Sequence, residues 1–131
     1  MSRAVLDASA ILAFLRGEPG ADVVSGYRGD AMVSAVNVAE AGARLADFGA
    51  SPAEVRWSVS LMSLEIVPFD EEQAHAAADI RGATRHLGLS LGDRACLQLA
   101  ARRGLPAVTA DRLWVEADTG VEIRLIRGPS A

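Results

Sequence analysis

The sequence contains no lysine, a single cysteine and no long uninterrupted apolar run. With Cys96 alone, no disulfide can form within the chain, which is typical of proteins from a reducing compartment. No stretch reaches the roughly 18 consecutive apolar residues of a membrane span, and the opening segment lacks the apolar core of a signal peptide. These absences predict a soluble, cytoplasmic protein with no membrane partner.

Positive charge is also scarce. The formal net charge is -4, and all 13 basic residues are arginine. A non-specific nucleic-acid binder usually has a basic surface, which this composition does not provide. Arginine pairs bidentately with phosphate or carboxylate, but its exclusive use is equally explained by GC-rich coding sequence. Net charge therefore identifies no partner.

The remaining composition is that of an ordinary globular chain. Its 131 residues are 50% hydrophobic and 23% charged, which predicts a single domain over residues 1–131. Apolar runs that favour strands alternate with helical segments, a pattern typical of βαβ units. We therefore predict an α/β fold with three α/β/α layers around a short parallel sheet of about four to five strands. The strands are expected at Ala4–Leu6, Ala31–Ser34, Leu64–Val67, Ala107–Thr109 and Val121–Ile126. The helical segments are expected at Ser9–Leu15, Ala21–Arg28, Asn37–Phe48, from Ser51-Pro52 onward, from Asp70 to about His86, from Ser90 to Arg103, and as a turn at Asp111–Val115.

Two acidic residues follow predicted strands. Asp7 comes directly after Ala4–Leu6, and Asp111 lies just past Ala107–Thr109. Ligands of parallel α/β sheets bind beyond the carboxyl ends of the strands, so both side chains would meet at one edge if these strands are neighbours. Each residue is also well placed to cap the helix that follows it. The two roles are compatible, because one carboxylate oxygen can cap while the other binds a ligand.

A third acid falls within a helical pattern. Val36, Ala39 and Ala43 form an apolar stripe at helical spacing, and Glu40 lies on it. A glutamate that faces the core is costly unless it is paired or bound to metal. The alternative is a side chain at the edge of the stripe whose carboxylate reaches water. Asn37, one turn earlier, is placed to hold Glu40 or a bound water.

A fourth acid, Asp93, opens the helix that follows Ser90. The spacing is that of a capping box, in which Asp93 also complements the helix dipole. The same residue lies along the apolar face formed by Cys96, Leu97 and Ala100. A structural role and a functional role are both open for Asp93.

Taken together, the four acids predict a cation site. Carboxylates crowded within several ångströms either protonate or are neutralised by a cation. No lysine is available, so we expect a hard divalent ion with oxygen ligands, Mg²⁺ or Mn²⁺. Such an ion supports phosphodiester hydrolysis by an activated water.

Three segments resemble a known family. VLDASAILAFLRGEPG, SAVNVAEAGARL and GLSLGDRACLQLAARRGLPAVTADRLW are similar to the PIN-domain ribonucleases, and most similar to the VapC toxins of type II toxin–antitoxin pairs. The resemblance covers nearly the whole chain. It implies a metal-dependent endoribonuclease that cleaves RNA.

The resemblance also implies roles for single residues. The family's four acids match Asp7, Glu40, Asp93 and Asp111, which would bind Mg²⁺ or Mn²⁺ and activate water. Ser9 and Thr109 match hydroxyl positions that support the acids. Some relatives carry a further acid in the later helix, where this chain has Cys96 and Leu97. The number of metal ions, one or two, stays open.

The partners implied by the family are RNA, a second copy of the chain in a homodimer, and a small VapB-like antitoxin. Apolar residues of the middle helices are candidates for an interface, although core packing also explains each of them: Trp57, Leu61 and Met62. Three arginines are candidates for contact with RNA phosphates or with the antitoxin's acids, although a solvated surface position also explains them: Arg85, Arg94 and Arg112.

Three other functions are alternatives to the nuclease. A receiver-like signalling module needs a lysine near its phosphoryl site, and this chain has none. A phosphatase of the haloacid-dehalogenase type needs D-x-D after the first strand, but Asp7 is followed by Ala8-Ser9. A non-catalytic PIN-fold module that binds RNA or protein remains the alternative to the enzyme.

Overall fold

The computed structural model describes residues 2–128, and its centre is a sheet of five short parallel strands. The strands are β1 Ala4–Leu6, β2 Ala31–Ser34, β3 Glu65–Val67, β4 Ala107–Thr109 and β5 Ile123–Leu125. They lie in the order β3-β2-β1-β4-β5. The predicted parallel α/β sheet is confirmed.

Helices cover both faces of this sheet. Their bounds are α1 Ala8–Arg16, α2 Ala21–Ser25, α3 Ala35–Asp47, α4 Pro52–Ser60, α5 Glu71–Asp79, α6 Arg81–Thr84 and α7 Leu91–Arg103. Two 3-10 turns, Arg85–Leu87 and Arg112–Glu116, complete the regular structure of the described residues. No described helix is both long and apolar enough to cross a membrane.

The core consists of two apolar clusters, one on each side of the sheet. Along β1, Ala4 and Leu6 point into a cluster with α1 and α2, whereas Val5 points into a cluster with α7. Side chains of a strand alternate between faces, so a strand covered on both sides must be apolar throughout. All three residues are fully buried, which explains why the run contains no polar residue.

The strand order places a switch point between β1 and β4. From β1 the chain proceeds to β2 and β3 on one side, and then returns to form β4 and β5 on the other. Leu6 pairs with Val108, and the Asp7 N–H donates to the Val108 carbonyl at 3.2 Å. Crevices at such reversals are the usual ligand sites of open parallel sheets.

The helical stretch predicted from Asp70 to about His86 is present, but it is divided into three elements. The stretch from Asp70 to about His86 begins as predicted, with Asp70 capping Gln73, but α5 ends at Asp79. Gly82 lowers helix propensity in the next turn. The Thr84 hydroxyl donates to the Ile80 carbonyl at 2.8 Å, a side-chain bond that competes with the helical pattern. The chain therefore continues as the short α6 and a 3-10 turn.

Other boundaries differ by a few residues. The last strand spans Ile123–Leu125 rather than the longer Val121–Ile126, and α3 begins two residues before Asn37. Ser34 sets that earlier start, because its hydroxyl accepts from the Val36 N–H at 3.2 Å.

Candidate active site

The four acids singled out in the sequence line one groove at the carboxyl edge of the sheet. The groove encloses about 430 Å³. Its walls come from the end of β1, from α1, α3 and α7, and from Asp111, the second residue after β4. They are formed by Asp7, Ala8, Ser9, Leu12, Asn37, Glu40, Ala43, Arg44, Asp93 and Asp111. The structure thus brings together carboxylates that are separated by up to a hundred residues in sequence.

Asp7 is the most enclosed of the four, with 4% of its surface exposed. Its Oδ1 accepts hydrogen bonds from the Ser9 hydroxyl at 2.7 Å and from the Ala10 N–H at 2.9 Å. Its Oδ2 accepts from the Thr109 hydroxyl at 2.6 Å. Burial raises the pKa of Asp7 from 3.8 to about 6, although these three hydrogen bonds act in the opposite direction.

Ser9 and Thr109 connect the carboxyl ends of the two central strands. The Ser9 hydroxyl accepts from the Ala110 N–H at 2.9 Å, and the Thr109 hydroxyl accepts from the Asp111 N–H at 3.0 Å. Each hydroxyl therefore binds Asp7 on one side and the backbone after β4 on the other. This arrangement fixes Asp7 relative to Asp111.

Glu40 is held by a buried amide. The Asn37 side-chain N–H₂ donates to Glu40 Oε1 at 3.0 Å and to the Gly92 carbonyl at 3.1 Å. A Cβ at position 92 would overlap the Glu40 carboxylate. Gly92 therefore leaves the space in which Glu40 lies against the start of α7.

The predicted reason for the position of Glu40 is wrong. The buried face of α3 consists of Asn37, Ala41 and Leu45, whereas Ala39 and Ala43 are exposed. Alanine is small enough to be tolerated on either face, so an alanine-based stripe does not identify the buried side of a helix. Glu40 is half-buried beside the true core face, and its carboxylate reaches the groove.

Asp93 and Asp111 each lie at the start of a helical element and also line the groove. Asp93 and Ser90 form the predicted capping box: Asp93 Oδ2 accepts from the Ser90 N–H at 2.9 Å, and the Ser90 hydroxyl accepts from the Asp93 N–H at 3.1 Å. Asp111 Oδ1 accepts from the Leu113 N–H at 3.0 Å. Partial burial raises the pKa of Asp93 above its usual value, and the negative charge of Asp111 adds to the rise.

The acids also affect the thiol beneath them. Burial raises the pKa of Cys96 well above its usual value, and the negative charges of Asp7, Asp93 and Glu40 raise it further. Cys96 is fully buried and therefore stays a neutral thiol.

The donor set of the groove fits a divalent cation such as Mg²⁺ or Mn²⁺. It offers carboxylate oxygens from four residues, and the buried Asn37 Oδ1 has no hydrogen-bond partner among the described residues. The described residues hold no group of three or more His, Cys, Asp or Glu side chains already spaced as metal ligands. Mg²⁺ keeps several water ligands, so it needs only one or two carboxylates in direct contact.

Sequence reasoning missed two residues that shape the groove. Among the described residues, Arg44 is the basic side chain in the groove wall, and Gly92, behind the wall, makes room for Glu40. The signal for Arg44 was its spacing of four residues from Glu40, which places both on one side of α3. The signal for Gly92 could not be recognised, because it depends on how α3 approaches α7.

The predicted interface residues separate into two kinds. Met62 is 1% exposed and belongs to the core, which supports core packing for that residue. Trp57 on α4 is 65% exposed and contributes nothing to either core cluster. Leu61 is intermediate.

Comparison with known proteins gives a family and several similar folds. A model described as the PIN domain matches residues 4–120. A toxin–antitoxin complex from Klebsiella pneumoniae contains a chain with a TM-score of 0.70 and 16% identity, over 95% of this chain and 98% of that chain. DNA-bound VapBC from Salmonella typhimurium gives a TM-score of 0.73 at 19% identity, over 97% of this chain and 100% of that chain. FitAcB from Neisseria gonorrhoeae gives a TM-score of 0.69 at 24% identity, over 94% of this chain and 97% of that chain. No curated protein matches the sequence significantly.

Proposed function

Because this chain belongs to the PIN-domain family, we propose that it is a divalent-metal-dependent endoribonuclease and the toxin of a VapBC-type pair. One observation supports the enzyme above all: Asp7, Glu40, Asp93 and Asp111 line a single groove at the switch point of the sheet. The toxin assignment is supported by similar solved structures that are toxin–antitoxin complexes. The treatment of residues 1–131 as one PIN domain stays a prediction.

The four acids would hold the ion. A bound Mg²⁺ or Mn²⁺ supplies the positive charge that offsets charge development during phosphodiester hydrolysis. Asp7 is fixed by three hydrogen bonds and so keeps its position before and after substrate enters. In water above pH 6 it is mostly ionised, since its pKa is about 6.

The remaining side chains orient the acids. Asn37 fixes the Glu40 carboxylate against α7, and Ser9 and Thr109 fix Asp7 beside Asp111. In the overall reaction, the oxygen of a water forms a bond to phosphorus, the P–O bond to the leaving nucleotide breaks, and one proton of the water ends, through solvent, on the leaving oxygen. Preorganised charge of this kind accounts for most of the rate enhancement in phosphoryl transfer.

The direct test is cleavage of cellular RNA by the purified chain with Mg²⁺, with Mn²⁺, and with a chelator. We expect cleavage only with a divalent ion, and its loss in Asp7→Asn. Asp79→Asn, on the exposed surface of α5, is the matched control and should leave cleavage unchanged. A chain that neither cuts RNA nor binds Mn²⁺ by calorimetry would be the non-catalytic RNA- or protein-binding module instead.

The partners are proposed on the same basis. The protein would be neutralised by a small VapB-like antitoxin and would form a homodimer in the cytoplasm, with the exposed Trp57 as a candidate contact. Co-purification with the product of a short neighbouring gene tests the antitoxin, and light scattering tests the dimer.

A further inference from the structure

Beside the acidic groove lies an aromatic ring that the core does not use. Phe48 ends α3, is 52% exposed, and belongs to neither apolar cluster. Two guanidinium groups lie over its ring: that of Arg16 is 3.5 Å from the centroid, and that of Arg44 is 5.3 Å. Both distances are within the range of a cation–π interaction.

The ring is linked to the groove through Arg44. Glu40, Arg44 and Phe48 follow one another at intervals of four residues, so they lie along one side of α3. Arg44 lines the groove and also lies over the ring. On α1, Leu12 lines the groove and Arg16 follows it by four residues. The row therefore runs outward from the acids over roughly 12 Å, given 1.5 Å of rise per residue.

The charge of these two arginines is only weakly satisfied within the protein. Arg16 pairs with Glu18 at 3.0 Å, with 36% and 32% of the two side chains exposed. Arg44 is 4.0 Å from Asp47, and more than half of each side chain is exposed. The Arg44–Asp47 pair is exposed and contributes little, so the Arg44 guanidinium is the more available of the two.

We propose that Arg16, Arg44 and Phe48 form a binding subsite for single-stranded RNA, where a base stacks on Phe48 and the arginines bind flanking phosphates. This inference rests on the proposed nuclease and names the form of its substrate. A groove lined by four acids repels a phosphate chain, and among residues 2–128 Arg44 is the single cation in its wall. Phe48 is 52% exposed even with the Arg16 guanidinium over its ring, and a half-exposed ring combined with guanidinium groups matches the combination that binds unpaired bases without regard to sequence. Bases inside a duplex are already stacked and cannot use the ring.

The experiment measures binding separately from cleavage. The background is Asp7→Asn in Mg²⁺, and the probe is a fluorescein-labelled 12-nucleotide RNA of mixed sequence, followed by anisotropy. We expect Phe48→Ala and Arg44→Gln each to raise the Kd by about tenfold, the scale of one base–aromatic stack. Phe48→Trp should retain binding, because it keeps a ring for stacking. The same RNA annealed to its complement should bind more weakly than the single strand.

Controls separate a binding role from a structural one. Phe48→Leu keeps an apolar side chain between α1 and α3 but removes the ring, and it should bind as poorly as Phe48→Ala. Arg56→Gln removes an exposed arginine from α4, and should change the Kd by less than twofold.

Several results would overturn the subsite: no binding of the single strand, equal binding of the duplex, normal binding by Phe48→Leu, or an equal loss of binding in Arg56→Gln. Stronger competition by a poly-glutamate peptide than by unlabelled RNA would instead indicate an acidic protein partner, and would also overturn it. If binding depends on the Phe48 ring but the native chain, with Asp7 intact, does not cut RNA, the subsite is supported and the nuclease is refuted. If the native chain cuts RNA but binding does not depend on the ring, the nuclease is supported and the subsite is refuted.

Discussion

The burial of Asp7 predicts a measurable cost of ionisation in the folded protein. The pKa of Asp7 is 3.8 in the unfolded reference and about 6 in the fold, because burial disfavours the charged form. A shift of one pKa unit corresponds to about 1.4 kcal/mol, so ionised Asp7 lowers the free energy of unfolding by about 3 kcal/mol. The sign follows from the raised pKa: this stability is fully present below pH 3.8 and is lost as the pH rises through 6.

Asp7→Asn removes the titration but keeps the shape of the side chain. The Asn oxygen can accept from Ser9 and from the Ala10 N–H, and its N–H₂ can donate to the Thr109 hydroxyl. In protein stripped of divalent ions, we therefore expect the free energy of unfolding of Asp7→Asn to rise relative to that of the native chain as the pH increases. The rise should be about 3 kcal/mol between acid pH and pH 7.5. Urea unfolding at a series of pH values measures this difference.

A control and an ion complete the experiment. Asp79→Asn makes the same change in net charge at an exposed position on α5, and should not reproduce the pH-dependent gain. Mn²⁺ should restore stability at pH 7 to the native chain more than to Asp7→Asn, since an ion that binds only the folded state stabilises it. Parallel pH curves for the native chain and Asp7→Asn would refute the account of a buried, ionisable Asp7.

Three further predictions concern other parts of the site and fold. Gly92→Ala should lower RNA cleavage by about 100-fold, because a Cβ displaces the Glu40 carboxylate, yet it should shift Tm by no more than about 4 °C. Gly82→Ala is the control, since its Cβ meets no atom within 4 Å, and equal activity of the two variants would exclude the steric argument. Cys96 should react with a thiol reagent only after urea unfolding, as followed by absorbance, and prompt reaction of the native chain would contradict its burial. Ser51→Ala should lower the free energy of unfolding by about 1 kcal/mol through loss of the capping box of α4, with cleavage unchanged, and a stability equal to that of the native chain would show that the cap contributes nothing.

The parts of the site set by local rules were predictable from the sequence. Asp7 and Asp111 follow apolar runs directly, and parallel strands align their carboxyl ends, so their convergence required only that β1 and β4 be neighbours. The capping box at Ser90 and Asp93 was predictable from spacing alone. The position of each acid in the groove agrees with these expectations, whereas their role as ligands stays a prediction.

The parts set by packing between distant elements were not predictable. Nothing in α3 indicates that Asn37 and Ala41 face the core while Ala39 and Ala43 face solvent, because the choice depends on the neighbouring α1 and α7. The contact of Arg16 with Phe48 joins residues 32 positions apart in sequence through the packing of α1 on α3. Such contacts become visible only when the helices are placed in space.

Asp7, Asp93 and Asp111 each receive a backbone N–H at the start of a helical element, and this limits how the protein can lose its charge. Substitution by alanine would remove an anion and leave an amide proton without an acceptor, so a defect in catalysis would be mixed with a defect in folding. Substitution by asparagine preserves an acceptor oxygen and separates the two. An inactive protein intended for crystallisation with RNA is therefore best obtained from amide variants, and random mutagenesis at these positions would recover misfolded chains alongside dead enzymes.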